Sequence, residues 1–171
     1  AVSGVRDMVY LVPNKRVEYV MMELPIRVGF WRAVGYSVNA FSVESFMDEL
    51  AAAAEMDPLA FRMAHLENPR IRTVLEVAAE QFHWNARRNQ VTPELGVGMA
   101  CGTEKDSVVA ACVEVEIDRK RGEIKVREVC EAFECGPVQN PDNLLSQVQG
   151  CIMMGIGPAL REAVQFEGGR I

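Results

Sequence analysis

The sequence is poor in histidine, in closely spaced cysteine pairs and in long apolar runs, and each shortage excludes a class of protein. Its two histidines, His65 and His83, follow helical apolar segments without a carboxylate or cysteine at zinc-binding spacing, so neither is expected to bind a metal. The longest uncharged apolar run covers residues 150–160 and is shorter than the roughly 18 residues of a membrane-spanning helix. The sequence therefore predicts neither a zinc site nor a membrane span.

Positive charge is also scarce, with 18 Lys and Arg against 24 Asp and Glu and a net charge of -6. Nucleic-acid binding requires Lys and Arg clustered on one face. The two basic clusters, Arg87–Arg88 and 119–121, are short and flanked by turn residues, so we interpret both as solvated loop charge. Nucleic acid is therefore not expected as a partner.

The five cysteines are odd in number and lack close pairs, which indicates reduced, mostly buried thiols rather than a disulfide framework. Cys130 and Cys135 have the C-x4-C spacing that begins a plant-type iron-sulfur set, but the C-x2-C that should follow is missing. No iron-sulfur cluster is expected within this chain. A thiol redox module built on these two cysteines remains an alternative.

What the chain does contain is typical of a soluble globular domain, with 49% hydrophobic and 25% charged residues. A length of 171 residues allows one domain with its own core. The chain begins at Ala1 within sequence that has the pattern of a structured region, and it ends in FEGGRI, where a hairpin begins. We therefore expect a piece of a longer polypeptide.

The first half is predicted to be mainly helical. VEYVMME (17–23) has the pattern of a strand, and an irregular segment punctuated by Pro25 and glycines follows it. Apolar residues then recur at spacings of three and four over 37–55, which predicts an amphipathic helix. DPLAFRMAHL begins a second helix capped by Asp57, Asn68-Pro69 ends it, and RTVLEVAAEQFHW forms a third.

The period changes to two after a polar loop at 85–94. SVVAACVEVEID and EIKVREVCEAF, joined by RKRG, predict an antiparallel hairpin, and a slip in the apolar phase predicts a bulge near Arg127-Glu128. The fold class is therefore α+β: a helical first half, an antiparallel β-hairpin, then a glycine-interrupted helix. Residues 1–90 hold a strand, a loop and helices, and residues 91–171 hold the hairpin and the last helix.

The last helix, at 140–162, contains Gly150, Gly155, Gly157 and Pro158. An interior glycine costs a helix about 1 kcal/mol and a proline about 3 kcal/mol relative to alanine. The Walker and dinucleotide-binding patterns are both absent. The bare backbone is therefore explained either by tight packing of the helix on a strand or by close approach of a polar cofactor.

A second glycine-bounded segment is GFWRAVGYS, in which Arg32 follows Trp31. An arginine fixed in a loop beside an aromatic residue suits a bidentate contact with an anion. The alternative is an ordinary surface arginine, with Trp31 in the core. Together with Gln147 in the last helix, Arg32 would suit a large anionic cofactor held mainly by backbone.

Two long stretches carry a family resemblance that covers nearly all of the chain. They are GFWRAVGYSVNAFSVESFMDELA followed by DPLAFR, and VVAACVEVEIDRKRGEIKVREVCEAFECGPVQNPDNLLSQVQGCIMMGIGPAL. Their order and spacing resemble the molybdenum-cofactor-binding large subunit of the xanthine oxidase family of hydroxylases, of the bacterial isoquinoline-oxidoreductase and nicotinate-dehydrogenase type. The resemblance implies a fragment of the molybdopterin-binding domains of an oxidoreductase.

The resemblance also implies roles for individual residues. Arg32 matches the arginine that reaches toward the molybdenum centre, and Val34 lies where several relatives place a phenylalanine against the substrate. Cofactor binding is implied for Gln147, Gly150, Gly35 and Ala33. The chain departs from the family at Glu134-Cys135-Gly136, where the family has Asp-Cys-Gly, at Gln149, where it has Glu, and at Val38, where Gln is common.

The implied enzyme oxidises N-heteroaromatic compounds or aldehydes with water as the oxygen source. Its catalytic glutamate lies in a Gly-Glu-Pro motif that this sequence lacks, so the fragment alone is expected to be inactive. The implied cofactor is molybdopterin, as the cytosine dinucleotide, with molybdenum, and the implied partners are an iron-sulfur small subunit, the remainder of the large subunit and a small-molecule substrate. Reduced cysteines favour the cytoplasm, with the periplasm left open. A cofactor-free interaction domain derived from the same fold is the second alternative.

Overall fold

A computed structural model of the chain describes residues 2–24, 26, 28–168 and 170. They form two compact units, Ala1–Cys135 and Gly136–Ile171. Pro25, which punctuates the predicted irregular segment, lies outside the described residues. Within the described part, no helix is both long and apolar enough to cross a membrane.

The first unit is an α+β domain, as the sequence predicts. Four helices come first in the chain: α1 (Gly35–Ala53), α2 (Pro58–His65), α3 (Pro69–Gln81) and α4 (Trp84–Arg88). Three strands follow: β1 (Leu95–Glu104), β2 (Ser107–Asp118) and β3 (Glu123–Glu134). The strands form one antiparallel sheet in the order β1-β2-β3.

Two side-chain caps set the starts of α2 and α3. The Asp57 carboxylate accepts hydrogen bonds from the backbone N–H groups of Leu59 and Ala60, which confirms the predicted cap. Asn68 accepts a hydrogen bond from the N–H of Arg70. Asn68-Pro69 therefore begins α3 as well as ending α2, because proline is well tolerated in a first helical turn.

The core of the first unit lies between α3 and one face of the sheet. The buried side chains of α3 include Ile71, Val74, Leu75 and Ala78. They belong to the same core cluster as Val108, Ala110 and Cys112, which alternate along β2. Burial of this apolar surface is the main favourable term that holds helix and sheet together.

The β2–β3 hairpin forms as predicted, including its bulge. Glu114 pairs with Glu128 and Val115 with Val126, so Arg127 is the extra residue. In the connecting turn, the Asp118 carboxylate accepts hydrogen bonds from two backbone N–H groups of the exposed basic cluster 119–121.

Sequence patterns missed β1 and part of the loop before it. The ten residues of β1, LGVGMACGTE, contain three glycines, which weaken the strand signal because glycine has no side chain to pack. A two-residue turn joins β1 to β2, with φ of 48° at Lys105 and 64° at Asp106. The predicted polar loop at 85–94 is also partly helical, since α4 occupies its first residues.

The predicted strand at 17–23 is wrong. These residues have no regular secondary structure and pair with no strand among the described residues, and the side chains of Val20 and Met21 are 78% and 80% exposed. A strand forms only when a neighbour accepts and donates its backbone hydrogen bonds. The alternating apolar residues are therefore present, but no strand among the described residues pairs with them.

The second unit contains the predicted last helix, α5 (Pro141–Leu160). Asn140 caps it by accepting a hydrogen bond from the N–H of Asn143. The glycines and Pro158 lie within one continuous helix. A half-buried stripe recurs every four residues, at Leu144, Val148, Ile152 and Ile156.

Candidate functional site

The arginine segment forms a strained turn that leads into α1. The carbonyl of Trp31 accepts a hydrogen bond from the N–H of Val34 at 3.0 Å, and the carbonyl of Ala33 accepts one from Tyr36 at 2.9 Å. Ala33 has φ of 62° and Val34 has φ of 48°. A positive φ at a β-branched residue is an outlier, and Val34 combines it with ψ of -118°. Such strain, of about 1–3 kcal/mol per residue, is concentrated at functional sites.

The amino end of α1 is suited to an anion. Among the described residues, no side chain caps this helix, and its first turn holds no acidic residue. Ser37 donates its hydroxyl proton to the carbonyl of Val34 instead of capping. Because the first N–H groups of a helix carry partial positive charge, a helix of 19 residues with this end can stabilise a negative group beside Arg32.

The turn brings four predicted site residues together. Arg32 and Val34 are exposed, Ala33 is half-buried and Gly35 is buried. Trp31 is 59% exposed, so the alternative interpretation that places Trp31 in the core is wrong.

A pocket of about 510 Å³ lies behind this turn. Its walls are mostly apolar, and Ala33 is the one predicted site residue among the described residues that line it. Its charged residues are Asp7, Glu44, Glu104 and Lys105. Three acidic groups against one basic group make the pocket a poor fit for phosphate groups. Tyr36 and Ser37 at the start of α1 line the pocket, whereas Arg32 is not among its lining residues.

Beneath the pocket lies a buried ionic network that the sequence analysis missed. The Arg62 side chain is fully buried, and its Nε is 3.0 Å from Oε2 of Glu44. The same guanidinium donates to the Asp48 carboxylate at 2.6 Å and to the backbone carbonyls of Glu44 and Met99. These bonds tie α1, α2 and β1 together, and they satisfy the buried charge.

Tyr10 and Cys101 complete this network. The Tyr10 hydroxyl donates to the Glu44 carboxylate at 2.9 Å and lies 3.2 Å from the Cys101 sulfur, and the backbone N–H of Cys101 donates to Glu44 at 3.2 Å. Burial raises the pKa of Glu44, although the nearby Arg62 charge and these donors oppose the shift. Burial likewise raises the pKa of Tyr10, and it raises that of Cys101 to about 12. Both therefore stay protonated at neutral pH.

The sequence carries little signal for the burial of Arg62. This residue follows the buried Phe61 within a predicted helix, and an arginine there is expected to be exposed unless it is paired. Its partner Glu44 is 18 positions earlier, and no local pattern connects the two.

The second unit holds the other predicted cofactor residues. Gln147 is exposed, and its amide nitrogen lies 3.5 Å from the sulfur of Cys151. Gly150 is also exposed, and a Cβ added there or at Gly155 would meet no described atom within 4 Å. At Gly157 the Glu162 carboxylate occupies the space of a side chain.

Arg32, Ala33, Val34 and Gly35 belong to the first unit, and Gln147 and Gly150 to the second. Their convergence on one cofactor stays a prediction. Among the residues that the structure describes, no cluster of His, Cys, Asp or Glu could hold a metal ion.

The predicted solvated charge at Arg87–Arg88 is wrong. Arg87 bonds to Glu114 at 3.0 Å and to Glu128 at 2.6 Å, which joins α4 to β2 and β3. Arg88 forms an ion pair with Asp57 at 2.9 Å. Both arginines therefore make ion pairs within the first unit, and Arg87 links α4 to the sheet.

The prediction of mostly buried thiols holds for two of the five, Cys101 and Cys112, whereas Cys130 and Cys135 are partly exposed and Cys151 is exposed. The thiol module built on Cys130 and Cys135 is wrong. At about 3.3 Å per residue, Cys130 lies roughly 13 Å from Glu134 at the end of β3. Cys135 is the next residue, so it stays beyond the roughly 7 Å that a disulfide spans between Cα atoms.

Comparison with known proteins identifies the family. Residues 48–171 match the family model of a molybdopterin cofactor-binding domain. The chain is 31% identical to the beta subunit of isoquinoline 1-oxidoreductase from Brevundimonas diminuta over 94% of the chain and 21% of that protein. It is 29% identical to a subunit of nicotinate dehydrogenase from Pseudomonas putida over 92% of the chain and 14% of that protein.

A third relative is a membrane-bound aldehyde dehydrogenase (pyrroloquinoline-quinone) of Gluconacetobacter polyoxogenes. It is 24% identical over 87% of the chain and 22% of its own length. The chain thus spans about a fifth or less of the length of each of these relatives. The family match includes Gln147 and Gly150 and begins after the arginine turn.

Proposed function

This chain belongs to the molybdopterin cofactor-binding domain family, and we propose that it forms part of the large subunit of a molybdenum hydroxylase of the xanthine oxidase family. The observation that carries this proposal beyond the family match is the strained turn at Ala33-Val34. It sets an exposed arginine beside the uncapped amino end of a long helix. That arrangement suits an anionic group better than the acidic, apolar pocket behind it does.

The residues present fit such a cofactor. Arg32 and the first N–H groups of α1 would donate to its negative groups, and Gln147 would hydrogen-bond the pterin. Gly150 would let the cofactor approach the helix backbone, since a side chain is absent there and the surrounding space is open. When bound, the cofactor supplies two-electron oxidation of the substrate, with water as the oxygen source.

The substrate we propose is an N-heteroaromatic compound or an aldehyde. The relatives are named for isoquinoline, nicotinate and aldehyde. Val34 would contact the substrate through an exposed aliphatic side chain. Because valine cannot stack on a ring as an aromatic residue does, Val34 favours aldehydes or small rings over large planar ones.

In this proposal, the parts of the enzyme that complete the active site and carry the electrons are not contained in this chain. A catalytic glutamate would come from elsewhere in the large subunit, so the chain alone would be inactive. Electrons would leave through iron-sulfur clusters on a small partner subunit, and the cofactor would carry a cytosine dinucleotide. The parent enzyme would be cytoplasmic, with a periplasmic enzyme as the alternative.

The rival proposal is a cofactor-free interaction domain. The departures at Val38, Glu134 and Gln149 favour it, since each changes a position of the family pattern. Molybdenum and pterin analysis of the purified full-length protein separates the two. Stoichiometric cofactor supports the enzyme, and protein that remains metal-free after expression with molybdate supports the rival.

Arg32→Ala tests the site itself. We expect normal folding and at least a tenfold loss of kcat per bound molybdenum, because a group near the reacting centre would be removed. Arg121→Ala is the matched control, since Arg121 is an exposed arginine in the β2–β3 turn. Unchanged turnover of Arg32→Ala at full cofactor occupancy would exclude a role near the metal.

A further inference from the structure

Two cysteines face each other across the β2–β3 hairpin. Cys112 of β2 lies directly opposite Cys130 of β3 in the antiparallel register. Residues directly opposite in an antiparallel pair project from the same face of the sheet. Cys112 belongs to the buried core cluster and Cys130 packs against that cluster, so both thiols lie on the face that covers α3.

Their spacing suits a covalent bond. Cα atoms of directly opposite residues are about 4.5–5.5 Å apart in antiparallel sheets. Disulfides form at Cα separations of about 4.4–6.8 Å. The hairpin therefore brings the two cysteines within bonding range without rearrangement of the strands.

The other cysteines of the first unit lack this arrangement. Cys101 lies opposite Ala110, and its sulfur contacts the Tyr10 hydroxyl. Cys135 follows the end of β3 and is too far along the chain to reach Cys130. Cys112 and Cys130 are therefore the one matched pair among the described strands.

We propose that Cys112 and Cys130 form a dithiol site that a low-molecular-weight disulfide, such as glutathione disulfide, oxidises to a cross-strand disulfide. Neither thiol has a role in the proposed cofactor site, so this dithiol site does not depend on the proposed enzyme activity.

The partly exposed Cys130 reacts first. Its thiolate attacks one sulfur of glutathione disulfide, and one glutathione thiolate leaves. Cys112 then attacks the Cys130 sulfur, which expels the second glutathione as its thiolate, and the Cys112 proton passes to that leaving thiolate. One S–S bond forms as another breaks, and two electrons pass from the cysteines to the oxidant.

The surroundings of the two thiols set the pH dependence of this reaction. Burial raises the pKa of Cys112 to about 12, with Cys130 adding to the shift and Arg62 opposing it. Burial and Glu128 raise the pKa of Cys130, and Arg87 opposes them. The thiolate fraction, and with it the rate, should rise about tenfold per pH unit from neutral pH up to the Cys130 pKa.

The test uses the full-length protein, reduced, freed of reductant and kept folded, then incubated with glutathione disulfide near pH 8. Non-reducing peptide mapping by mass spectrometry should find the peptide of Cys112 linked to that of Cys130. Cys135→Ser is the matched control and should leave this linked peptide unchanged. Cys130→Ser should abolish it, and this variant avoids placing a hydroxyl at the fully buried Cys112.

Any other product overturns the proposal. A glutathione adduct that persists on Cys130, a linkage of Cys130 to another cysteine, or unmodified thiols after prolonged incubation would each show that the two sulfurs do not react together. A reaction rate that does not change with pH would contradict the thiolate route.

Discussion

The Arg62 guanidinium lies 3.0 Å from the Glu44 carboxylate inside the first unit, with none of its surface exposed to solvent. An ion pair at this depth gains little over an apolar pair, but removal of Glu44 leaves the buried Arg62 charge with Asp48 as its remaining ionic partner. The pair joins α1 to α2 beneath the turn that carries Arg32. Stability of the first unit should therefore depend strongly on Glu44.

Glu44→Gln should lower the free energy of unfolding by up to about 3–5 kcal/mol, because Arg62 would keep its charge with the partly exposed Asp48 as its remaining ionic partner. Urea denaturation followed by circular dichroism measures this change. Glu49→Gln, at an exposed position of the same helix, should change stability by less than about 0.5 kcal/mol. Equal effects of the two substitutions would show that the Glu44–Arg62 pair does not anchor α1.

Asp57→Ala should destabilise the first unit by about 1–2 kcal/mol, because it removes the acceptor for two N–H groups at the start of α2. Asp57→Asn keeps a capping oxygen and loses the charge that pairs with Arg88. We expect a loss of less than about 1 kcal/mol for Asn, since exposed ion pairs contribute little. Equal losses in thermal unfolding would place the effect in the contacts of Asp57 Oδ2 with Arg88 and the Trp84 indole instead of the cap.

The free energy of unfolding should fall in alkaline solution, because the buried thiols have raised pKa values. The pKa values of Cys101 and Cys112 are about 12 in the folded protein, against 9.0 for an ordinary thiol. A raised folded-state pKa stabilises the folded protein below the unfolded value, and this stabilisation is lost as the pH rises from about 9 to about 12. Each thiol should contribute a slope approaching 1.4 kcal/mol per pH unit within that window.

Urea denaturation at several pH values between about 8 and about 11 measures this slope. Tyr10 contributes in the same direction at the upper end, because burial also raises its pKa. Cys112→Ala should reduce the slope without changing the contribution of Tyr10. A stability that stays constant up to pH 11 or so would contradict the assigned pKa shifts.

Gly150→Ala distinguishes the effect of Gly150 on helix stability from its proposed role in cofactor binding. Alanine should stabilise α5 by up to about 1 kcal/mol, because the added methyl group meets open space and removes the entropic cost of glycine. In the full-length protein the same substitution should lower the molybdenum content if the cofactor approaches this point. Gly155→Ala, equally open, should stabilise the helix to the same extent and leave the molybdenum content unchanged. Normal cofactor content in both variants would remove Gly150 from the proposed site.

Structural features that depend only on residues close together in the sequence were predictable. The Asp57 cap and the bulge at Arg127 are both confirmed, because a cap needs one turn of helix and a bulge appears as a slip in the apolar alternation. The β1 strand was missed because its glycines hide the alternation. The strand at 17–23 failed because pairing depends on a partner that no local pattern reveals.

The candidate site was predictable only in part. The sequence placed Arg32 and Gly35 in one segment through its glycines and its resemblance to a known family. The positive φ of Val34 had no sequence signal, since valine rarely adopts it. The buried pair of Glu44 and Arg62 was likewise hidden, because it joins residues on two helices that only the fold brings together.

The unpaired segment at 17–23 offers a built-in footprinting probe. Met21 and Met22 are 80% and 74% exposed, and exposed methionines are readily converted to sulfoxides by peroxide. The oxidation rates of Met21 and Met22 in a larger assembly would show whether another surface covers this part of the chain. Buried Met47 and Met99 provide slow internal references within the same molecule.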